Sequence, residues 1–116
     1  MKIVQTLLRD VSVLQSPTFE DERGCFTKLF HRSLPILDSY HIEQVNHVVN
    51  RQAGILRGLH YQQGEWAESK FFRVLSGRIQ LGLVDLRAGM HAPASATTIV
   101  LDRPDVGVLV PRGFAT

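Results

Sequence analysis

Cysteine is nearly missing from this sequence: Cys25 is the single one in 116 residues, so the chain holds no internal disulfide. The N-terminus has no long apolar run ending in a small-residue cleavage site, and no window approaches the ~20 apolar residues of a membrane-spanning helix. Repeats, low-complexity tracts and linkers are also missing. We therefore expect one soluble, cytoplasmic domain covering residues 1–116, with Cys25 as a small core or interface side chain.

Charge of either sign is modest and evenly spread. The formal net charge is +2 and the pI is near 9.0, but the basic residues do not cluster into a stripe. This distribution does not favour nucleic acid as a partner. It is compatible with a small anionic ligand.

Apolar residues recur mostly at every second position, in short runs separated by turn residues, which is typical of β-strands. The strands predicted from this pattern cover residues 11–14, 25–30, 71–75, 79–84, 97–101 and 106–110. Turns are predicted at residues 22–24, 76–78, 87–89 and 103–105. One short helical segment is predicted at residues 33–39, with Ser33 as its cap and Pro35 in its first turn. Many short strands with regular turns predict an all-β jelly-roll sandwich or barrel.

The last ten residues, 107–116, read as a strand, a Pro-x-Gly turn and the opening of another strand. An unfinished strand leaves a sheet edge without a partner. Either the chain is a shortened form of a longer protein or a second chain completes the sheet. The sequence favours the first explanation, because it shows no other device that would protect the edge.

The most informative segment runs from Gly54 to Gln62 and is followed by Lys70. It has the glycine and histidine skeleton of a cupin metal box, but Gln62 and Lys70 stand where a second histidine and a carboxylate are expected. A fixed ammonium disfavours a divalent cation, so we expect no metal and no other cofactor. His60, Arg57 and Lys70 instead combine a proton acceptor with fixed positive charges, which suits an anionic substrate and an oxyanion.

Several blocks occur in the order found in one enzyme family. They are Asp21–Phe26, Gln44–Asn46, Gly54–Gln62, Lys70–Arg73, Val84–Arg87 and Pro111–Ala115. From Phe19 to its last residue the chain resembles the dTDP-4-dehydrorhamnose 3,5-epimerases. The resemblance implies a metal-independent cupin fold, a homodimer and a nucleotide-diphosphate sugar as substrate. The implied reaction is epimerisation at C3, C5 or both of a 4-keto-6-deoxy hexose, as in deoxysugar and rhamnose biosynthesis.

This chemistry removes a proton next to a ketone, stabilises the enolate and returns a proton to the opposite face. By resemblance His60 is the base, Lys70 holds the enolate oxygen and Arg57 binds the diphosphate. Each residue has a plainer alternative. His60 can be a hydrogen-bonded histidine inside the barrel, Lys70 a surface lysine, and Arg57 a member of an ordinary ion pair at the rim. The position of Lys70 on a strand does not tell which face its side chain takes.

Four further residues match substrate-binding positions of the family. Phe19 and Arg23 match positions that reach across the dimer to the nucleotide, while Gln44 and Asn46 match positions that line the sugar pocket. Core or interface burial explains Phe19 equally well, and hydrogen bonds to strand edges explain Gln44 and Asn46. An ion pair within a turn explains Asp85 and Arg87 as well as a ligand does.

Departures from the family pattern also carry information. Lys28 stands where the family has a glutamate near the base, Leu81 where it has an aspartate, and Thr116 where it has a histidine. The family also has a tyrosine that acts as the acid and an aspartate that pairs with the histidine. Both of these positions lie beyond Thr116. We therefore expect the 116-residue chain alone to be poorly active. The alternatives to an epimerase are a non-catalytic or weakly active cupin that binds a nucleotide-sugar, and a metal-dependent cupin for which the ligands are missing.

Overall fold

Strands make up most of the regular structure in the computed structural model, which describes residues 1–31, 35–87 and 95–116. In chain order the strands are β1 (Lys2–Leu7), β2 (Val11–Gln15), β3 (Thr18–Asp21), β4 (Gly24–Thr27), β5 (Lys70–Arg73), β6 (Ile79–Asp85), β7 (Ala96–Leu101), β8 (Val106–Val110) and β9 (Phe114–Ala115). A short helix, α1, spans Pro35–Asp38, and a 3-10 turn spans Gly64–Trp66. The described part of the chain is thus all-β with minimal helix, as the sequence predicts.

The strands form two sheets and a separate hairpin. A four-stranded sheet has the order β1-β2-β8-β5, and a three-stranded sheet has the order β7-β6-β9. The hairpin of β3 and β4 belongs to neither sheet. All of these strand pairs are antiparallel.

The main core lies between the two sheets. Val108 and Val110 of the four-stranded sheet share one buried cluster with Leu83 and Leu101 of the three-stranded sheet. Burying each such side chain completely contributes about 1.5–3 kcal/mol. The two faces that meet here are the apolar faces that the alternating pattern predicts.

The outer face of the four-stranded sheet is covered by α1. Leu109, which points away from the main core, is buried with Leu14 and with Leu37 of the helix. A continuous apolar run such as residues 106–110 is expected for a strand that is buried on both faces. Gly107 fits this crowding, since a Cβ atom there would come within 2.8 Å of the Phe71 ring.

Strand predictions differ in accuracy according to burial. The strands predicted at residues 11–14, 79–84, 97–101 and 106–110 are confirmed with ends that agree within one residue. The predicted strand 25–30 ends early, at Thr27, and the predicted strand 71–75 is shifted to Lys70–Arg73. The sequence pattern does not predict β1 and β3, because all four residues of β3 and the first five of β1 are exposed and carry no alternating pattern.

The predicted helical segment is confirmed in part, from Pro35 to Asp38. Its proposed cap, Ser33, lies outside the described residues, as does most of the predicted turn 87–89. The predicted turns at 76–78 and 103–105 fall between strands. The predicted turn at 22–24 lies between β3 and β4 except for Gly24, which is the first residue of β4.

Arg87 joins the end of β6 to two other parts of the fold. Its guanidinium donates to both carboxylate oxygens of Asp85, at 2.8 Å and 2.5 Å, and also pairs with Asp10 in the turn between β1 and β2. It stacks over the ring of Phe114 at 4.7 Å. These hydrogen bonds hold the pKa of Asp85 below its usual range. Asp85 and Arg87 therefore form the ion pair that the plainer alternative to a ligand site predicts, and Arg87 adds the contacts with Asp10 and Phe114.

Replacing Arg87 with methionine tests the weight of this contact. Asp85 is 2% exposed in its side chain, so the variant leaves a buried carboxylate without its cation. Removing one member of a buried ion pair is costly, and we expect the free energy of unfolding to fall by about 3 kcal/mol in urea titrations.

Arg103→Met is the matched control, because Arg103 also pairs with an aspartate two residues away but is itself 60% exposed. Its partner Asp105, whose side chain is 11% exposed, keeps a hydrogen bond from Gln15 at 3.4 Å when Arg103 is replaced. We expect that variant to cost less than about 1 kcal/mol. Equal losses in the two variants would contradict a special role for Arg87.

Candidate functional site

His60 lies in a long segment without helix or strand and is fixed to the sheet at one point. The whole of 41–63 is exposed and has no regular secondary structure. The main-chain N–H of His60 donates to the main-chain oxygen of Thr116 at 2.6 Å, and the N–H of Thr116 donates back to the carbonyl oxygen of His60 at 3.1 Å. Because Thr116 directly follows β9, this reciprocal pair attaches the histidine segment to the three-stranded sheet.

Lys70 reaches the same point from the other sheet. Lys70 opens β5 opposite Val110. Directly opposed residues of an antiparallel pair project to the same face, so Lys70 shares the inner face with buried Val110. Its Nζ donates to the carbonyl oxygen of His60 at 3.2 Å and to Oγ1 of Thr116 at 3.1 Å.

The ammonium group of Lys70 is partly shielded from solvent. Its side chain is 22% exposed, and the nearest carboxylate oxygen, from Glu68, lies 3.7 Å away. An ammonium has three N–H donors. Two of them are used by His60 and Thr116, and at 3.7 Å Glu68 is too distant for a third hydrogen bond. The ammonium thus keeps a donor for another oxygen.

The imidazole of His60 is exposed and has no hydrogen bond within the ranges that the structure describes. Its position next to Lys70 comes from the main chain alone. A base in this state can accept a proton, but no described carboxylate fixes its tautomer or stabilises its protonated form.

Other predicted site residues are not gathered at this point by hydrogen bonds. Arg57 is exposed, and its Nε donates to Oδ1 of Asn50 at 2.9 Å. The side-chain amide of Gln44 donates to Oδ1 of Asn46 at 2.9 Å, and both residues are exposed. These groups remain accessible to a ligand.

Phe19 and Arg23 lie on the separate hairpin. Phe19 packs against Phe26 at 6.5 Å between ring centroids, and both rings are more than half exposed. Arg23 pairs with Asp21 at 2.5 Å, which lowers the pKa of that carboxyl group. Core burial of Phe19 is therefore wrong for this chain. Core burial of Cys25 is wrong as well, since it lies exposed on β4 of the same hairpin.

Thr116 and Glu68 complete the surroundings of Lys70, a role that the sequence does not predict for them. Thr116 is separated from Lys70 by 46 positions, and no local sequence signal links a residue at the end of one strand to a residue at the start of another. Thr116, which stands where the family has a histidine, is in the structure an acceptor for the lysine.

Gly58 allows the His60 and Thr116 main chains to meet. Its φ is +102°, and a Cβ atom there would lie 2.9 Å from the main-chain oxygen of Thr116 and 3.2 Å from the nitrogen of His60. A side chain at this position has to displace main-chain atoms of the pair. Glycine is therefore required both by conformation and by space.

Two features are not found among the described residues, a cluster of metal-ligating side chains and a membrane-spanning helix. Within the described ranges, no group of three or more histidine, cysteine or acidic side chains is placed to hold a metal ion. No helix formed by these residues has the length and apolar character to cross a membrane.

Gly58→Ala is expected to open the pair between His60 and Thr116. Gly54→Ala is the matched control, because Gly54 also has a positive φ, of +80°, but has open space where a Cβ atom would lie. Both variants carry a conformational penalty of about 1–2 kcal/mol. Only Gly58→Ala adds an overlap worth about 1–3 kcal/mol. Hydrogen exchange should show faster exchange at the His60 and Thr116 amides in Gly58→Ala alone; equal exchange in both variants would contradict the argument.

The family model described as dTDP-4-dehydrorhamnose 3,5-epimerase matches residues 5–116. The enzyme of that name from Escherichia coli is 30% identical over 99% of this chain, and the one from Neisseria gonorrhoeae is 36% identical over 99%. The crystal structure of the Bacillus anthracis enzyme, with TDP and PPi bound, covers 98% of this chain at a TM-score of 0.84 and 30% identity. These likenesses confirm the cupin-type fold predicted from the sequence.

The chain covers a smaller share of its relatives than they cover of it. The chain spans 64% of the E. coli relative, 35% of the N. gonorrhoeae relative and 67% of the B. anthracis chain. The match nevertheless includes every block that carries the sequence resemblance from Phe19 onward. The chain belongs to the dTDP-4-dehydrorhamnose 3,5-epimerase family.

Proposed function

We propose that this chain contributes to an epimerase that acts on a nucleotide-activated 4-keto-6-deoxy hexose. The observation that carries the proposal is the meeting of His60 and Lys70, which are linked through the lysine Nζ at 3.2 Å from the histidine carbonyl oxygen. A proton acceptor beside a partly buried ammonium is what proton removal next to a ketone requires. Family membership supplies the substrate class.

His60 is the proposed base. Its imidazole takes the proton from the carbon next to the ketone, and the electron pair of that C–H bond moves into the carbonyl group to give an enolate. Histidine is the side chain that most often serves as a general base in enzymes. The reaction is complete when a proton is returned to the opposite face, so no net oxidation or reduction occurs and no cofactor is needed.

Lys70 is the proposed partner of the enolate oxygen. Its free N–H donor lies on an ammonium held at the inner edge of the sheets, where charge is less screened than in bulk water. An ammonium interacts more strongly with a full enolate charge than with the ketone dipole. The interaction is therefore strongest after proton removal, which is the condition for lowering the barrier.

The proposed substrate-binding residues are Arg57, Arg23, Phe19, Gln44 and Asn46. The guanidinium groups match phosphate oxygens with paired donors, and an exposed aromatic ring offers a stacking surface for a base. The B. anthracis relative, which was solved with TDP and PPi, supports a nucleoside diphosphate as the bound group. Lys28, directly after β4, places a cation where the family has a glutamate, so the base preference of this chain is open to test.

A second candidate function is a non-catalytic or weakly active cupin that binds a nucleotide-sugar. The exposed imidazole of His60, which lacks a carboxylate partner among the residues that the structure describes, favours it. Binding and proton exchange are separable measurements, and together they distinguish the two candidates.

Deuterium wash-in tests the catalytic proposal. We expect the 116-residue chain to exchange the C3 or C5 proton of a dTDP-linked 4-keto-6-deoxy hexose with D₂O slowly. His60→Asn and Lys70→Met should each lower this rate by about a hundredfold, since they remove the base and the oxyanion partner. Lys2→Met, at an exposed position on β1, is the control and should exchange at the wild-type rate.

Calorimetry of nucleotide-sugar binding accompanies the assay, and we expect Lys70→Met to retain binding. Binding without any exchange in the wild-type chain would favour the non-catalytic candidate. Exchange that neither substitution changes would overturn the assignment of both residues.

We also propose that the protein forms a homodimer. Several apolar side chains are exposed, including Val45 at 84%, Leu56 at 88% and Phe26 at 62%. Exposed apolar surface of this kind favours an interface with another protein chain. Sedimentation at micromolar concentration should show a dimer that Val45→Glu weakens and that Val100→Glu, at a 41% exposed position on β7, leaves intact. A monomeric wild-type chain would rule out the proposal.

A further inference from the structure

We propose that Thr116 is a positioning residue that holds the ammonium of Lys70 through its hydroxyl group. The inference deepens the proposed function and rests on it, because the role of Lys70 as enolate partner comes from that proposal. Thr116 itself need not touch the substrate. Its contribution is to fix where the remaining N–H of the lysine points.

The contact is direct and shielded. Nζ of Lys70 lies 3.1 Å from Oγ1 of Thr116, and Thr116 is 8% exposed. A hydrogen bond that involves a charged donor is stronger than one between neutral groups. With the second bond to the carbonyl oxygen of His60, it restrains a side chain that is otherwise long and flexible.

The hydroxyl group is in turn fixed from two directions. The main chain of Thr116 pairs reciprocally with His60, at 2.6 Å and 3.1 Å. The two preceding residues form β9, in which Ala115 pairs with Val84 and Phe114 with Asp85. Arg87 stacks on the Phe114 ring at 4.7 Å and anchors the same strand to the ion pair with Asp85. Threonine is β-branched and has few rotamers, so a fixed main chain also restricts its hydroxyl.

Glu68 is the competing partner for the lysine. Its carboxylate lies 3.7 Å from Nζ, which is beyond hydrogen-bond distance but close enough for electrostatic attraction. The hydroxyl of Thr116 keeps the ammonium beside His60 without neutralising its charge, since a hydroxyl is uncharged. A carboxylate in its place would satisfy the lysine and weaken its interaction with an enolate.

The contact can be measured without any activity. The chain has three lysines, Lys2, Lys28 and Lys70, so the ¹⁵N signals of their ammonium groups are assignable by substitution to arginine. Hydrogen exchange of the Lys70 ammonium should become about tenfold faster in Thr116→Val, because valine has the same shape without the acceptor. Thr116→Ser keeps the acceptor and should stay near the wild-type rate.

Glu68→Gln is the matched control for the local charge, and Thr98→Val on β7 is the control for loss of a strand hydroxyl. Both should leave exchange at the Lys70 ammonium nearly unchanged. A faster rate in Glu68→Gln, with no change in Thr116→Val, would overturn the proposal. If Thr116→Val does not fold, Thr116→Ala removes the same acceptor and the same result is expected of it.

Kinetics then separate positioning from packing. In the wash-in assay Thr116→Val should lower the maximal rate about tenfold and change the substrate concentration at half-maximal rate less than about twofold. Thr116→Ser should recover most of the rate. Combined with Lys70→Met, the valine substitution should have no further effect, because its contribution acts through the lysine. Additive losses would show a structural role and overturn the proposal.

The two proposals fail in different ways. If Lys70→Met leaves the exchange of substrate protons unchanged, the proposed function is wrong whatever the ammonium measurement gives. If Lys70→Met lowers it and Thr116→Val does not, the function stands and the positioning role of Thr116 is wrong.

Discussion

The pairing of β9 with β6 is the constraint on which the fold and the candidate site both depend. β9 has only two residues, but it places Phe114 in the main core and under the Arg87 guanidinium. The next residue, Thr116, then meets His60 in a reciprocal main-chain pair and accepts a hydrogen bond from Lys70. Since main-chain hydrogen bonds are directional, one short strand fixes the spacing of groups that come from both sheets.

The candidate site lies where the apolar core gives way to exposed chain. Val110, opposite Lys70, is 1% exposed, whereas His60 belongs to a segment of exposed residues. An ammonium at such a boundary has lost part of its hydration but keeps access to a ligand. A donor at such a boundary interacts with a negative charge more strongly than a donor in bulk water does. The position of Lys70 at the first residue of its strand is what makes this arrangement possible.

How far the sequence predicts the structure depends on burial. β6 and β8 are buried on one or both faces, and the spacing of their apolar residues reveals them in the sequence. Their predicted ends agree with the structure almost to the residue. β3 is exposed along its length and gives no such signal. The same limit applies to single residues: the exposure of Phe19 and Cys25 follows from their place on a hairpin outside both sheets, which local pattern does not report.

The sequence by itself determined the class of fold and the family, and it named the residues of the candidate site, because alternation, turn chemistry and the segment from Gly54 to Gln62 are local properties of the chain. Only the tertiary structure decided which face Lys70 takes and that Thr116 is its partner. It also decided that Gly58 is needed for two main chains to approach. The contact between Lys70 and Thr116 joins residues 46 positions apart, and its geometry follows from strand register and sheet packing, which no short stretch of sequence encodes.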